Sequence, residues 1–155
     1  MPTTILLRDV IASDLPIFFE QQLDPVANEM AAFPARNQEA FMAHWAKILA
    51  EQSNILRTIL FDGQVAGNIV SWDQSGERKV GYWVGREFWG KGIATQALAA
   101  FLEQVTTRPL YAHVAKHNLA SIRVLEKCGF VVTSEDKELA STGGEEVEEW
   151  ILILK

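Results

Sequence analysis

The chain has 155 residues, 48% of them hydrophobic and 22% charged, with a net charge of −6. A chain of this size is expected to form one domain over 1–155 that buries about 70% of its unfolded surface without staples. Its acidic balance argues against nucleic acid, which asks for basic patches, and suits a cationic partner such as an amine. Cys128 stands alone, so no internal disulfide can form. No apolar run nears the ~20 residues of a membrane span, and Met-Pro-Thr-Thr opens no leader or lipidation pattern. The expected location is the cytoplasm.

In chain order, residues 4–10 read as a first strand. Ser13 is expected to cap a helix of about ten residues carrying Leu15, Ile17, Phe18, Phe19 and Leu23. Asp24-Pro25 breaks it, and a loose stretch over 26–37 follows. A second helix is predicted over 38–51, with Phe41, Trp45, Ile48 and Leu49 on one side. Strands over 55–61 and 64–72 flank Asp62-Gly63, a strong two-residue hairpin signal. Gln74-Ser75-Gly76-Glu77 turns into a strand where Val80, Tyr82 and Val84 alternate with Gly81, Trp83 and Gly85.

That strand leads into Trp89-Gly90-Lys91-Gly92-Ile93-Ala94-Thr95 and then a helix with Ile93, Ala97, Leu98 and Phe101 at helical spacing. Its first N–H groups lack intrahelical partners and carry the positive end of the helix dipole, a setting that suits a phosphate. Gly90 and Gly92 allow close backbone approach, and Lys91 adds a cation. The P-loop pattern is absent. The dinucleotide fingerprint fails too, because Thr95 stands in the third glycine's place and no acidic residue follows at the required distance.

A strand over 110–115 and a helix over 118–127 come next, the latter capped by Asn118 and stopped by Gly129. Ile122, Leu125 and Cys128 form its apolar stripe. Strands over 130–134 and 147–154 end the chain, joined by a polar loop with Gly143-Gly144. This order predicts an α/β (α+β) domain: one mixed, mostly antiparallel sheet of about seven strands, flanked by about four helices.

Two stretches carry a family resemblance. Gly92 and Ala94 fill the last positions of the pyrophosphate loop Arg/Gln-x-x-Gly-x-Gly/Ala of the GNAT acetyltransferases, with Trp89 where Arg or Gln is usual. The Trp-Gly-Lys-Gly wording resembles the RimJ/RimL ribosomal-protein branch. Downstream, Asn118, Ser121, Ile122, Leu125, Lys127, Gly129 and Phe130 are similar to that family's Asn-x-x-Ser/Ala run.

The resemblance implies a splayed parallel strand pair, with acetyl-CoA as co-substrate entering the gap. Backbone groups at Trp83 and Val84 would bind the pantetheine amides and hold the thioester carbonyl. The turn of Trp89, Gly90, Lys91, Gly92, Ile93, Ala94 and Thr95 would cradle the pyrophosphate. Asn118 would bond the pantetheine side, and Ser121 would lie near the sulfur. The acceptor would be a primary amine: a protein N-terminal α-amine, an amino acid or a small amine. The protein would be a monomer or a homodimer.

Direct attack in a ternary complex needs a neutral amine. A lysine-like amine with a pKa near ~10.4 is neutral in only about one molecule in 10³ at pH 7, whereas an α-amine near ~7.7–8.0 is roughly 10–20% neutral. A general base matters for the first and much less for the second. Neither face of the strand around Tyr82 is acidic. Asp73 and Glu77 read mainly as solvated turn residues that could reach the site through water, and His113 as a structural strand residue with a base as its alternative.

His44 and His117 read as surface residues, Cys128 as core, and the three His are too scattered for a metal. Glu145, Glu146, Glu148 and Glu149 read as a solvated face that could also attract a cationic acceptor. Many members of the family carry a Tyr thiol donor in the helix after the Asn motif. Leu125 holds that position here, which makes Ser121 the candidate donor. The missing Tyr and base also leave open an acyl-CoA-binding sensor with little or no catalysis.

Overall fold

The computed structural model describes residues 5–139 and 146–155. The expected Gly143-Gly144 connection and Glu145 lie outside these residues, as does the side chain of Glu146. Seven strands form one sheet in the order β1-β2-β3-β4-β5-β7-β6. They are β1 (Ile5–Asp9), β2 (Ile55–Phe61), β3 (Gln64–Gln74), β4 (Glu77–Val84), β5 (Leu110–Ala115), β6 (Val131–Leu139) and β7 (Glu146–Leu154). The helices are α1 (Leu15–Gln21), α2 (Pro25–Ala31), α3 (Gln38–Ala50), α4 (Ile93–Gln104) and α5 (Leu119–Lys127). All neighbouring strands are antiparallel except β4 and β5, so the predicted mixed sheet is the observed one.

Local chemistry explains most boundaries. Asp62 (φ 49°) and Gly63 (φ 82°) are both left-handed, the pair of values that a two-residue type I′ hairpin requires. Asn118 caps α5 by accepting the Ser121 N–H at 3.2 Å, and Asn37 caps α3 by accepting the Ala40 N–H at 2.8 Å.

Three details differ from the sequence reading. Asp24-Pro25 ends α1 but also starts a fifth helix, α2. The Asp24 carboxylate accepts the Val26 N–H at 3.0 Å, and Pro25 sits in the first turn, where its missing N–H costs nothing. Ser13 does not cap α1. It lies in a short 3-10 turn over 12–14, and Asp14 precedes the helix with its carboxylate turned inward to Arg8 and Thr58. Leu49 faces solvent, while Phe41 and Trp45 alone of the predicted α3 stripe are fully buried.

The two sheet faces carry separate cores. On one face α4 and α5 cover Ile59, Ile69, Val80, Leu110 and Leu152, with Phe101, Leu98 and Ala97 of α4 fully buried at the centre. Each such Leu or Phe contributes about 2 kcal/mol by leaving water. On the other face α1 and α3 pack Leu15, Phe18, Phe41 and Trp45 against Leu56. Antiparallel partners share a face. The register therefore places Tyr82, opposite Ile69, toward α4 and α5, and Trp83, opposite Asn68, toward α1 and α2.

Candidate active site

The parallel ladder between β4 and β5 is short. Only Arg78 with Leu110 and Lys79 with Tyr111 pair, and beyond them the strands part. Close packing against β3 holds β4 at the end of this gap. A Cβ on Gly67 would lie 2.0 Å from the Trp83 carbonyl oxygen and 2.9 Å from the Val84 Cα, so only glycine admits this approach. The Gly85 N–H donates to the Ala66 carbonyl at 2.8 Å and completes the anchor.

A cavity of about 360 Å³ opens at the gap. Tyr82, Trp83 and Val84 form its β4 side. The turn and the start of α4 supply Phe88, Trp89, Gly90, Gly92, Ile93, Ala94 and Thr95. The start of α5 supplies Asn118, Ala120, Ser121 and Val124, and α2 supplies Ala27, Met30 and Ala31. Nine of the ten residues singled out in the sequence as cofactor-binding line this one cavity, and so does Ser121. Lys91 does not; it is exposed on the outside of the turn.

The turn beside the cavity leaves a helix N-terminus without a side-chain cap. Gly92 is the α4 N-cap in a left-handed conformation (φ 75°), and no side chain caps the helix. Ile93, Ala94 and Thr95 line the cavity, and first-turn N–H groups have no partner within their own helix. Asn118 at the neighbouring helix shows the contrast, since its side chain occupies the Ser121 N–H. The Trp89 indole N–H donates to the Val84 carbonyl at 2.8 Å, tying the turn to the end of β4. That carbonyl is therefore already engaged by the chain itself.

Tyr82 Oη lies 2.6 Å from Ser121 Oγ. Burial pushes the Tyr82 phenol up to about 12, against the opposing hydrogen bond with Ser121, so it stays protonated at neutral pH. Leu125 is 1% exposed and belongs to the core, so it offers the cavity nothing. Trp83 is held on the opposite sheet face. Its indole N–H donates to the Gln21 carbonyl at 3.2 Å, and its ring meets Phe33 edge-on at 6.1 Å.

Several candidates lie elsewhere. Asp73 pairs with Arg78 at 3.3 Å in the β3–β4 hairpin, and Glu77 begins β4. Val84 lies seven residue steps along β4 from Glu77, about 23 Å at the usual rise, which is too far for one bridging water. His113 has its Nδ1 3.6 Å from Glu149 Oε1 and does not line the cavity. His117 is exposed and its Nε2 contacts the Glu29 carbonyl at 2.8 Å. His44 packs against Trp45, and burial, then Arg36 and Lys47, push its imidazole down. Cys128 is partly buried against the core, which pushes its thiol up. No group of His, Cys, Asp and Glu among the described residues could hold a metal ion, and no helix there is long and apolar enough to cross a membrane.

Three contributors escaped sequence reasoning. Tyr82 was visible on one face of its strand, but neither the direction of that face nor its partner was. Gly67 lies mid-strand, where an isolated glycine signals close backbone approach. Ala27 and Ala31 belong to the helix that Asp24-Pro25 starts.

Comparison with known proteins settles the family. The acetyltransferase (GNAT) domain matches residues 4–131. The chain belongs to this family. As a GNAT domain, it is 30% identical over 101 residues to YdaF of Bacillus subtilis (strain 168), named as a candidate ribosomal N-acetyltransferase. That stretch is 61% of this chain and 55% of YdaF, so the match spans about half the length of the curated relative.

Among solved structures, the GNAT fold recurs in the Vibrio cholerae spermidine N-acetyltransferase in complex with CoA and spermine. Its TM-score is 0.80 at 15% identity, covering 97% of this chain and 94% of that one. It recurs in the Brucella melitensis ribosomal-protein-alanine N-acetyltransferase, with a TM-score of 0.79 at 21% identity, covering 96% and 98%. At these identities the likeness is one of fold.

Proposed function

We propose that the protein is an acetyl-CoA-dependent N-acetyltransferase of the RimJ/RimL-like branch, moving acetyl to a primary amine by direct attack. The observation that carries this reading is one cavity lined both by an uncapped helix N-terminus and by a Tyr82–Ser121 hydroxyl pair. The first-turn N–H groups of α4 bind the pyrophosphate, Gly90 and Gly92 keep its approach clear, and Asn118 borders the pantetheine arm. Backbone groups at Trp83 and Val84 hold the thioester, with the Val84 N–H as the candidate donor, because Trp89 occupies the Val84 carbonyl and strand alternation turns the Trp83 N–H toward β3. A well-placed N–H donor to the developing oxyanion is worth about 3–4 kcal/mol. The names of YdaF and the Brucella enzyme support the branch.

The cavity wall supports a weakly basic acceptor. None of its described lining residues is acidic or a His. An acceptor that is already partly neutral needs no strong base there, and an α-amine near ~7.7–8.0 meets that condition. A protein N-terminal α-amine is therefore the favoured acceptor. The same lining, with Leu125 in the core, favours as a second reading an acyl-CoA-binding module with little catalysis.

Calorimetric titration with acetyl-CoA, with ATP and NAD as controls, tests the cofactor. Saturable binding of acetyl-CoA alone is expected, and its loss in Gly92→Asp. The Gly92 Cβ position is open, with Gln96 Nε2 at 3.7 Å, so that variant acts through charge and the left-handed backbone rather than through a clash. No binding by the wild-type protein would refute the reading. Thiol release with peptide N-termini then separates the enzyme from the binding module.

A further inference from the structure

The sequence lacks a phenol at position 125 of α5, yet the cavity has one. It comes from the facing strand. Tyr82 Oη lies 2.6 Å from Ser121 Oγ and 3.4 Å from the Ser121 carbonyl, and both residues line the cavity. Ser121 is the one hydroxyl residue of α5, and its N–H is already fixed by Asn118.

We propose that Tyr82 is a positioning residue for acetyl transfer: its O–H, donated to Ser121 Oγ, turns the Ser121 hydroxyl hydrogen toward the sulfur of the departing thiol. This inference rests on the acetyl-transfer reading above.

Either hydroxyl can donate across this contact, and the proposal takes the phenol as the donor. A phenol that remains protonated has one hydrogen to give, and the shorter contact is to Ser121 Oγ. A serine hydroxyl that accepts there keeps its own hydrogen for another acceptor. A thiolate is such an acceptor, and charge-assisted hydrogen bonds are roughly twice as strong as neutral ones. In the reaction the amine nitrogen bonds to the acetyl carbon and the C–S bond breaks. Its electron pair goes to sulfur, and the proton lost by the amine neutralises the thiolate. Ser121 stabilises the sulfur while it is charged, and neither Ser121 nor Tyr82 need give up its proton.

The test reads the bound thiol and needs no acceptor. CoA is titrated with pH in complex with the wild-type protein, Tyr82→Phe, Ser121→Ala and Ser121→Thr, following thiolate ultraviolet absorbance, with CoA affinity measured in parallel. Tyr82→Phe is expected to change the affinity for the protonated thiol less than it changes the thiolate fraction. Below the titration midpoint its thiolate fraction should fall about tenfold, the size expected for losing an oriented charge-assisted hydrogen bond. Ser121→Ala should fall at least as far, and Ser121→Thr should recover most of the loss.

An unchanged thiolate fraction in Tyr82→Phe with normal affinity overturns the role of Tyr82. If Tyr82→Phe fails to fold, Ser121→Ala decides, since an unchanged fraction there removes the hydroxyl that Tyr82 is meant to aim. Failure of the wild-type protein to bind CoA is a different result, and it brings down the acetyl-transfer reading together with this inference.

Discussion

The Trp89 indole N–H donates to the Val84 carbonyl at 2.8 Å, so the residue that departs from the family's Arg/Gln position ties the glycine turn before α4 to the end of β4. Trp89→Phe keeps a ring and removes the donor. A net hydrogen bond of about 1 kcal/mol corresponds to about fivefold weaker acetyl-CoA binding. Calorimetry checks this, and unaltered affinity would mean that the turn holds its shape without the tie.

Gly67→Ala puts a methyl group 2.0 Å from the Trp83 carbonyl. Backbone cannot yield as a flexible side chain does. The variant should lose about 2–3 kcal/mol of stability, at the upper end of ordinary overpacking, and bind acetyl-CoA more weakly because the displaced atoms border the cavity. Urea unfolding and titration read the two effects.

Asp14 is 1% exposed and sits between Arg8 Nη1 and Nη2 (2.7 and 2.8 Å), Thr58 Oγ1 (2.6 Å) and the Ile11 N–H (3.0 Å). Burial alone raises its pKa, but these four hydrogen bonds outweigh it and hold the carboxyl at about 2. A carboxyl whose folded value lies below its unfolded one near 3.8 stabilises fully above that value. The contribution is lost as pH falls from about 4 through about 2. Asp14→Asn should cost about 2 kcal/mol at neutral pH, the size that corresponds to a carboxyl held at about 2 in place of 3.8, and flatten the acid limb of the stability curve.

Tyr82 governs the alkaline limb with the opposite sign. Its folded value, about 12, exceeds the ordinary 10.0 chiefly through burial. The neutral phenol is therefore favoured in the folded state, with its contribution intact below pH 10 and lost as pH rises toward 12. Tyr82→Phe should reduce the fall in melting temperature over that window. An unchanged slope would place the phenol in a wetter setting than the structure gives it.

What the sequence made legible was local. Asp62-Gly63, Asn118 and the Gly90–Gly92 turn announce themselves within a few residues, because backbone conformation and capping are decided there. Asp24-Pro25 was legible only by half: the same two residues that stop α1 are also an N-cap and a first-turn proline. The bond between Tyr82 and Ser121 spans 39 positions, and the approach of Gly67 to Trp83 depends on strand register. Composition and periodicity carry neither. The family's missing Tyr was visible at Leu125, but a phenol on the facing strand could be found only in three dimensions.

The sheet is hydrogen-bonded across its middle by two residue pairs alone, Arg78 with Leu110 and Lys79 with Tyr111. Mechanically, the molecule is two leaves on a short spine. Phe101, Leu98 and Ala97 of α4, shared between Ile59 and Ile69 on one leaf and Leu110 and Leu152 on the other, act as the binding that keeps them together. A long ligand lying in the open part of the seam, with contacts to both leaves, would splint them. Melting temperature should then climb with ligand concentration as linkage requires, and slowed amide exchange on β4 and β5 should mark where the splint takes hold.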